Sequence, residues 1–90
     1  MHSLIIGGGK IGYYLTKVLI EKGYDVSVVE KEKDACQKFA NDLNITVIKG
    51  DGTSVSVLEQ AGVADADSVI AVTGRDEDNL VACQLAKRLY

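Results

Sequence analysis

Short apolar runs alternate with longer amphipathic stretches along this chain, and each change of period marks a change of element. The runs near 3–6, 25–30, 45–49 and 67–73 read as strands, and the segments near 10–22, 32–43, 54–62 and 76–89 carry helical spacing. Val26, Val28 and Val29, then Val69, Ile70, Ala71 and Val72, are the mostly β-branched runs expected of parallel strands covered on both faces. Ile11, Leu15, Val18 and Leu19 predict an inward face for the first helix, and Cys36, Phe39, Ala40 and Leu43 predict one for the second. Gly23 and Gly62 stand where helices would end, Ser54 where the third would be capped, and Asp76-Glu77-Asp78 where acids favour a helix dipole.

Strand followed by helix, four times over, specifies an α/β architecture with a parallel sheet. Right-handed crossovers give the strand order 3-2-1-4, with a switch point between strands 1 and 4. The expected fold is a Rossmann-like doubly wound parallel sheet truncated after four βα units, one domain over residues 1–90. Complete dinucleotide-binding sheets carry about six strands, so a truncated form or a piece of a longer protein is expected.

Composition removes several alternatives. An apolar share of 47% suits a chain with a real core, and 10 Lys+Arg against 13 Asp+Glu argue against sequence-independent nucleic-acid binding. No apolar run approaches the ~20 residues of a membrane span. Cys36 and Cys83 lack metal-ligand spacing and read as small core hydrophobes in a reducing compartment.

The chemistry lies at the ends of the strands. Gly7-Gly8-Gly9-Lys10-Ile11-Gly12 matches G-x-G-x-x-G between a strand and a helix, and Glu30 ends the next strand. Gly7 permits a tight turn, Gly9 lets a pyrophosphate approach the backbone, and Gly12 lets the helix sit close to the sheet. The N–H groups of Gly9, Lys10 and Ile11 would face phosphate oxygens at a helix N-terminus, while the Lys10 side chain either pairs with a phosphate or extends into solvent. Glu30 can accept both hydroxyls of an adenosine ribose and disfavours a 2′-phosphate, with Lys31 as the nearby cation. Gly50-Asp51-Gly52-Thr53 and Val72-Thr73-Gly74 follow strands 3 and 4 at the same carboxyl edge. There Asp51, Gly52 and Thr53 would wall the adenine side, and Thr73 and Gly74 the pyrophosphate or second ribose.

These residues resemble the nucleotide-binding domains of potassium-transport regulators, the TrkA-N, KTN or RCK family. The likeness covers essentially the whole chain. It rests on the glycine motif, Glu30, Gly50-Asp51-Gly52-Thr53, Leu58-Glu59-Gln60-Ala61-Gly62, Ala64-Asp65-Ala66-Asp67 and the run from Ala71 to Asn79. The resemblance implies a cytoplasmic regulatory domain that binds NAD(H), or ATP and ADP in some branches, and acts on a membrane potassium transporter or channel. It assigns the phosphate loop to Gly7, Gly9 and Gly12, the ribose acid to Glu30, the adenine-side loop to Asp51 and Thr53, and the strand 4 edge to Thr73 with Asn79. Lys10 stands where ATP-preferring members often place an arginine, and lysine keeps the charge without the fork.

The leading expectation is therefore a non-catalytic ligand switch, peripheral to the membrane through its partner. The apolar stretch near 80–90 suggests a homodimer or larger ring. The rival is the cofactor-binding half of an NAD-dependent dehydrogenase. Against it, the sole histidine, His2, is expected at the exposed terminus, and no nucleophile–base pair is evident.

Overall fold

The computed structural model of the protein describes residues 1–89, without the side chains of Asp76, Glu77 and Leu89. The acids expected in the first turn of the last helix, Asp76 and Glu77, thus lie outside the described side chains. Strands β1 (His2–Ile6), β2 (Asp25–Glu30), β3 (Thr46–Lys49) and β4 (Ser68–Ala71) alternate with helices α1 (Lys10–Glu21), α2 (Lys33–Asp42), α3 (Val55–Gln60) and α4 (Asp76–Leu89). All strand pairs are parallel and the order is β3-β2-β1-β4. No helix among the described residues is long and apolar enough to cross a membrane.

Register explains how one sheet feeds two cores. Ile5 pairs with Val28 on one side and Ile70 on the other, and Val28 pairs with Val47. These residues share one face, where Phe39 of α2 and the α1 side chains Tyr13, Leu15 and Leu19 pack. Leu4, Ile6 and Val29 point the opposite way, onto Leu58 of α3, Val63, and Ala82 and Ala86 of α4. Successive side chains on a strand alternate between faces, so the unbroken run Leu4-Ile5-Ile6 supplies both cores.

Several expectations needed correction. Ile11 does not face the sheet and is 70% exposed, while Gly12 and Thr16 are buried instead. A helix packed closely on a strand turns its smallest residues inward, and hydrophobicity counting misses glycine and threonine. Thr16 tolerates full burial because its hydroxyl donates to the Gly12 carbonyl at 2.7 Å. Ala40 is exposed, one step round α2 from Phe39. Neither cysteine belongs to the core: Cys83 is exposed, and Cys36 is half-buried with its thiol directed at the Glu30 carbonyl, 3.2 Å away. Burial, and then the charge of Glu30, push that thiol above its ordinary range. His2 is not an exposed terminal residue; it opens β1 half-buried and lines a hollow with Tyr24 and Asn44 at the amino edge.

Helix ends follow the glycines. Gly23 and Gly62 both adopt positive φ, +86° and +83°, just beyond α1 and α3. Ser54 holds the N-cap position of α3 without a side-chain cap bond, and a 3-10 turn at Val63–Asp65 follows Gly62. Strand β4 ends at Ala71 rather than residue 73: Val72 still gives its N–H to the Ile6 carbonyl, but the Thr73 N–H goes to the Asn79 side chain instead of to β1.

Candidate functional site: a cleft at the carboxyl edge of the sheet

Three loops leave the carboxyl ends of β1, β3 and β4, each tethered to an adjacent strand by a backbone bond. Gly7 donates to the Val29 carbonyl at 2.8 Å, Gly50 to the Glu30 carbonyl at 3.0 Å, and Val72 to the Ile6 carbonyl at 2.8 Å. The loops diverge above these anchors and enclose a cleft of about 360 Å³. It lies where strand order reverses between β1 and β4, the position at which open α/β sheets take ligands.

The floor is the glycine turn. Gly7 has φ +110°, and a Cβ there would meet the Thr73 backbone nitrogen at 2.8 Å. A Cβ at Gly12 would come within 2.1 Å of the Gly7 carbonyl oxygen, so this glycine brings α1 down onto the turn without itself lining the cleft. Gly9 is the N-cap of α1, carries no side-chain cap, and has open space where its Cβ would be. A helix N-terminus without a side-chain acceptor can offer its first N–H groups to an anion.

Glu30 closes one side. It is 8% exposed, and its two carboxylate oxygens accept different backbone donors, Oε1 from Gly8 N–H and Oε2 from Glu32 N–H. Each oxygen has a second lone pair, which leaves acceptor capacity for ligand hydroxyls. The same carboxylate thereby fixes both the phosphate-side turn and the β2–α2 junction. Beyond it, Asp51 Oδ1 accepts the Thr53 N–H at 2.9 Å and the Thr53 hydroxyl at 2.7 Å, and these bonds hold its carboxyl below the ordinary range.

Of the residues singled out in the sequence, Gly7, Gly9, Glu30, Lys31, Asp51, Gly52, Thr53, Thr73 and Gly74 line this one cleft. Lys10, Ile11, Gly12 and Asn79 do not. Lys10 and Ile11 open α1 with exposed side chains, and Asn79 turns its amide onto Thr73. Sequence reasoning missed Gly8, Glu32, Arg75 and Asp78, all of which line the cleft. Gly8 sits at a variable position of the motif, yet a Cβ there would strike the Phe39 ring at 2.6 Å. Arg75 and Asp78 form an ion pair at 3.7 Å on the β4 side, and no motif spacing announced them.

Comparison with known proteins agrees with this fold. The family model for the TrkA-N domain matches residues 3–90. The Trk system potassium uptake protein TrkA homolog of Methanothermobacter thermautotrophicus is 41% identical over 87 residues, 97% of this chain and 40% of that protein. The TrkA homolog of Pyrococcus abyssi is 38% identical over 89 residues, 99% of this chain and 39% of that protein. The chain thus spans about two fifths of the length of these relatives. Among solved structures, the Shewanella denitrificans Kef CTD in AMP-bound form superposes with a TM-score of 0.84 at 23% identity, over all of this chain and 52% of that one. The NAD(P)-binding domain of an exopolyphosphatase-related protein from Archaeoglobus fulgidus gives 0.85 at 20% identity, over 98% of this chain and 65% of that one. These two likenesses establish the Rossmann-like fold. The family match and the TrkA relatives, running along nearly the whole chain, establish that it belongs to the TrkA-N domain family.

Proposed function

We propose that residues 1–90 form a regulatory unit that binds NAD(H) in this cleft and, through its occupancy, controls a membrane potassium-uptake system from the cytoplasmic side. The observation that carries the ligand is Glu30, held by two backbone N–H groups beside a glycine turn at an uncapped helix N-terminus. That pairing suits a ribose diol next to a pyrophosphate. The potassium link draws on the TrkA relatives by name.

Charge favours a dinucleotide over a triphosphate. Among the described residues the cleft is lined by four carboxylates, Glu30, Glu32, Asp51 and Asp78, against Lys31 and Arg75. ATP concentrates its charge at one end of the molecule, whereas NAD(H) carries a bridging pyrophosphate that backbone N–H groups can satisfy. The second reading, an ATP- or ADP-responsive domain, takes support from the AMP-bound structural neighbour and from Lys10 at the first position of α1. The non-enzymatic reading fits the naming of the relatives, and the chain's one histidine lies at the amino edge, away from the cleft.

Calorimetric titration with NADH, NAD, NADPH, ATP and ADP, repeated on Glu30→Ala, tests the proposal. NADH binding that weakens at least about tenfold in the variant and exceeds NADPH binding supports it. A folded sample that binds none of the five overturns it. Tighter ATP or ADP binding transfers the site to the adenine-nucleotide reading.

A further inference from the structure

Asn79 belongs to the expected set but does not line the cleft; instead both polar atoms of its side-chain amide bond to Thr73, which does. Its Oδ1 accepts the Thr73 backbone N–H at 2.8 Å and also faces the Thr73 hydroxyl, while its Nδ2 donates to the Thr73 carbonyl at 3.3 Å. An N–H can only donate, so the atom facing Thr73 N is the amide oxygen and the orientation of the side chain is fixed. One amide thus grips both polar ends of the Thr73 residue. The Thr73 hydroxyl in turn accepts the Arg75 N–H at 3.2 Å, which extends the grip along the loop.

The position of that loop matters because of what it touches. The backbone at Val72 and Thr73 runs against Gly7 so closely that no side chain fits between them. Thr73, Gly74 and Arg75 then form the wall of the cleft on the β4 side, across the glycine turn from Glu30 on β2. A mononucleotide whose ribose sits on Glu30 and whose phosphate sits on the turn has no need of this wall. A dinucleotide must continue past the pyrophosphate along it.

We infer that Asn79 is a positioning residue that sets the β4 wall for the second nucleoside of a dinucleotide, acting through Thr73 and not by contact with ligand. The inference rests on the nucleotide reading above and adds to it a residue that decides between dinucleotide and mononucleotide. Removing the amide frees the loop, so the distal half of the cleft loses its shape while the Glu30 half keeps its own bonds.

The test compares NADH and AMP affinities, with amide hydrogen exchange at Thr73, in wild-type protein, Asn79→Ala and Asn79→Asp. In Asn79→Ala, NADH binding is expected to weaken about tenfold and AMP binding by less than about twofold, with faster exchange at Thr73. In Asn79→Asp an acceptor for the Thr73 N–H remains, so exchange there is expected to stay near the wild-type rate, and this variant carries the comparison if Asn79→Ala does not fold. Equal weakening of NADH and AMP, or unchanged NADH affinity in a folded Asn79→Ala variant, overturns the inference. If wild-type protein binds neither ligand, the nucleotide reading falls. The exchange data still decide the structural half, because unaltered Thr73 protection in Asn79→Ala contradicts any positioning role.

Discussion

Replacing Gly12 by alanine tests how tightly the glycine turn is built. The new Cβ would lie 2.1 Å from the Gly7 carbonyl oxygen, more than an ångström inside the roughly 3.3 Å of a close C–H···O contact. The obstacle is backbone, anchored by the Gly7 bond to Val29, so it cannot rotate aside as a flexible side chain would. Relief requires α1 to lift from β1, which opens gaps beneath Leu15, Thr16 and Leu19 and forfeits part of their dispersion contacts. Overpacking of this kind costs about 1–3 kcal/mol, and the better helix propensity of alanine offsets at most ~1 kcal/mol. A net loss of about 1–2 kcal/mol corresponds to a fall in Tm of roughly 4–16 °C for a domain of this size. Gly74→Ala is the control on the same edge: its Cβ meets nothing within 4 Å and its φ is not positive, so its stability should change by no more than about 0.5 kcal/mol. Thermal and urea unfolding of both variants provide the assay. A Gly12→Ala variant as stable as Gly74→Ala would refute the close approach of helix to turn.

Leu58, fully buried between α3 and the sheet, should cost about 2–4 kcal/mol when cut to alanine, against no more than about 0.5 kcal/mol for exposed Val55→Ala, both read by urea unfolding. Tyr13 donates its hydroxyl to Asp42 at 2.9 Å, and that bond raises the phenol above its ordinary value. A raised folded-state value means stabilisation that is present below about pH 10 and lost as pH rises through the raised value; Tyr13→Phe should lack this alkaline loss in pH-dependent melting. Asp51 behaves in the opposite sense, since bonds from Thr53 lower its carboxyl. Its contribution is present above about pH 4 and lost as pH falls through the lowered value, so the Thr53 amide resonance should move on acidification in wild-type protein and not in Asp51→Asn.

The sheet was legible because its signals are redundant. The runs at Leu4-Ile5-Ile6 and Val26 to Val29 read as strands buried on both faces, and right-handed crossovers together with the glycine motif after the first strand pointed to the observed order. Inward faces of helices were harder. Ile11 outranks Gly12 on any hydrophobic scale, yet a glycine that admits close backbone approach decides which way α1 turns. The cysteines misled as well: Cys36 is half-buried with its thiol on the Glu30 carbonyl, and Cys83 is exposed on α4. At the cleft, the glycine motif and Glu30 were visible from spacing alone. The double role of Glu30, the need for glycine at position 8, and the inward turn of Asn79 depend on distances between loops far apart in sequence. No local pattern encodes those distances.

The most direct test of nucleotide binding at the carboxyl edge is a titration of isotopically labelled protein with NADH, followed through its backbone amide resonances. The account predicts saturable shifts at Gly8, Gly9, Glu32, Thr53 and Thr73, the amides that ring the cleft, with Tyr24 and Asn44 at the opposite edge unmoved. Shifts confined to the Tyr24 and Asn44 edge, or none at saturating NADH, would contradict it.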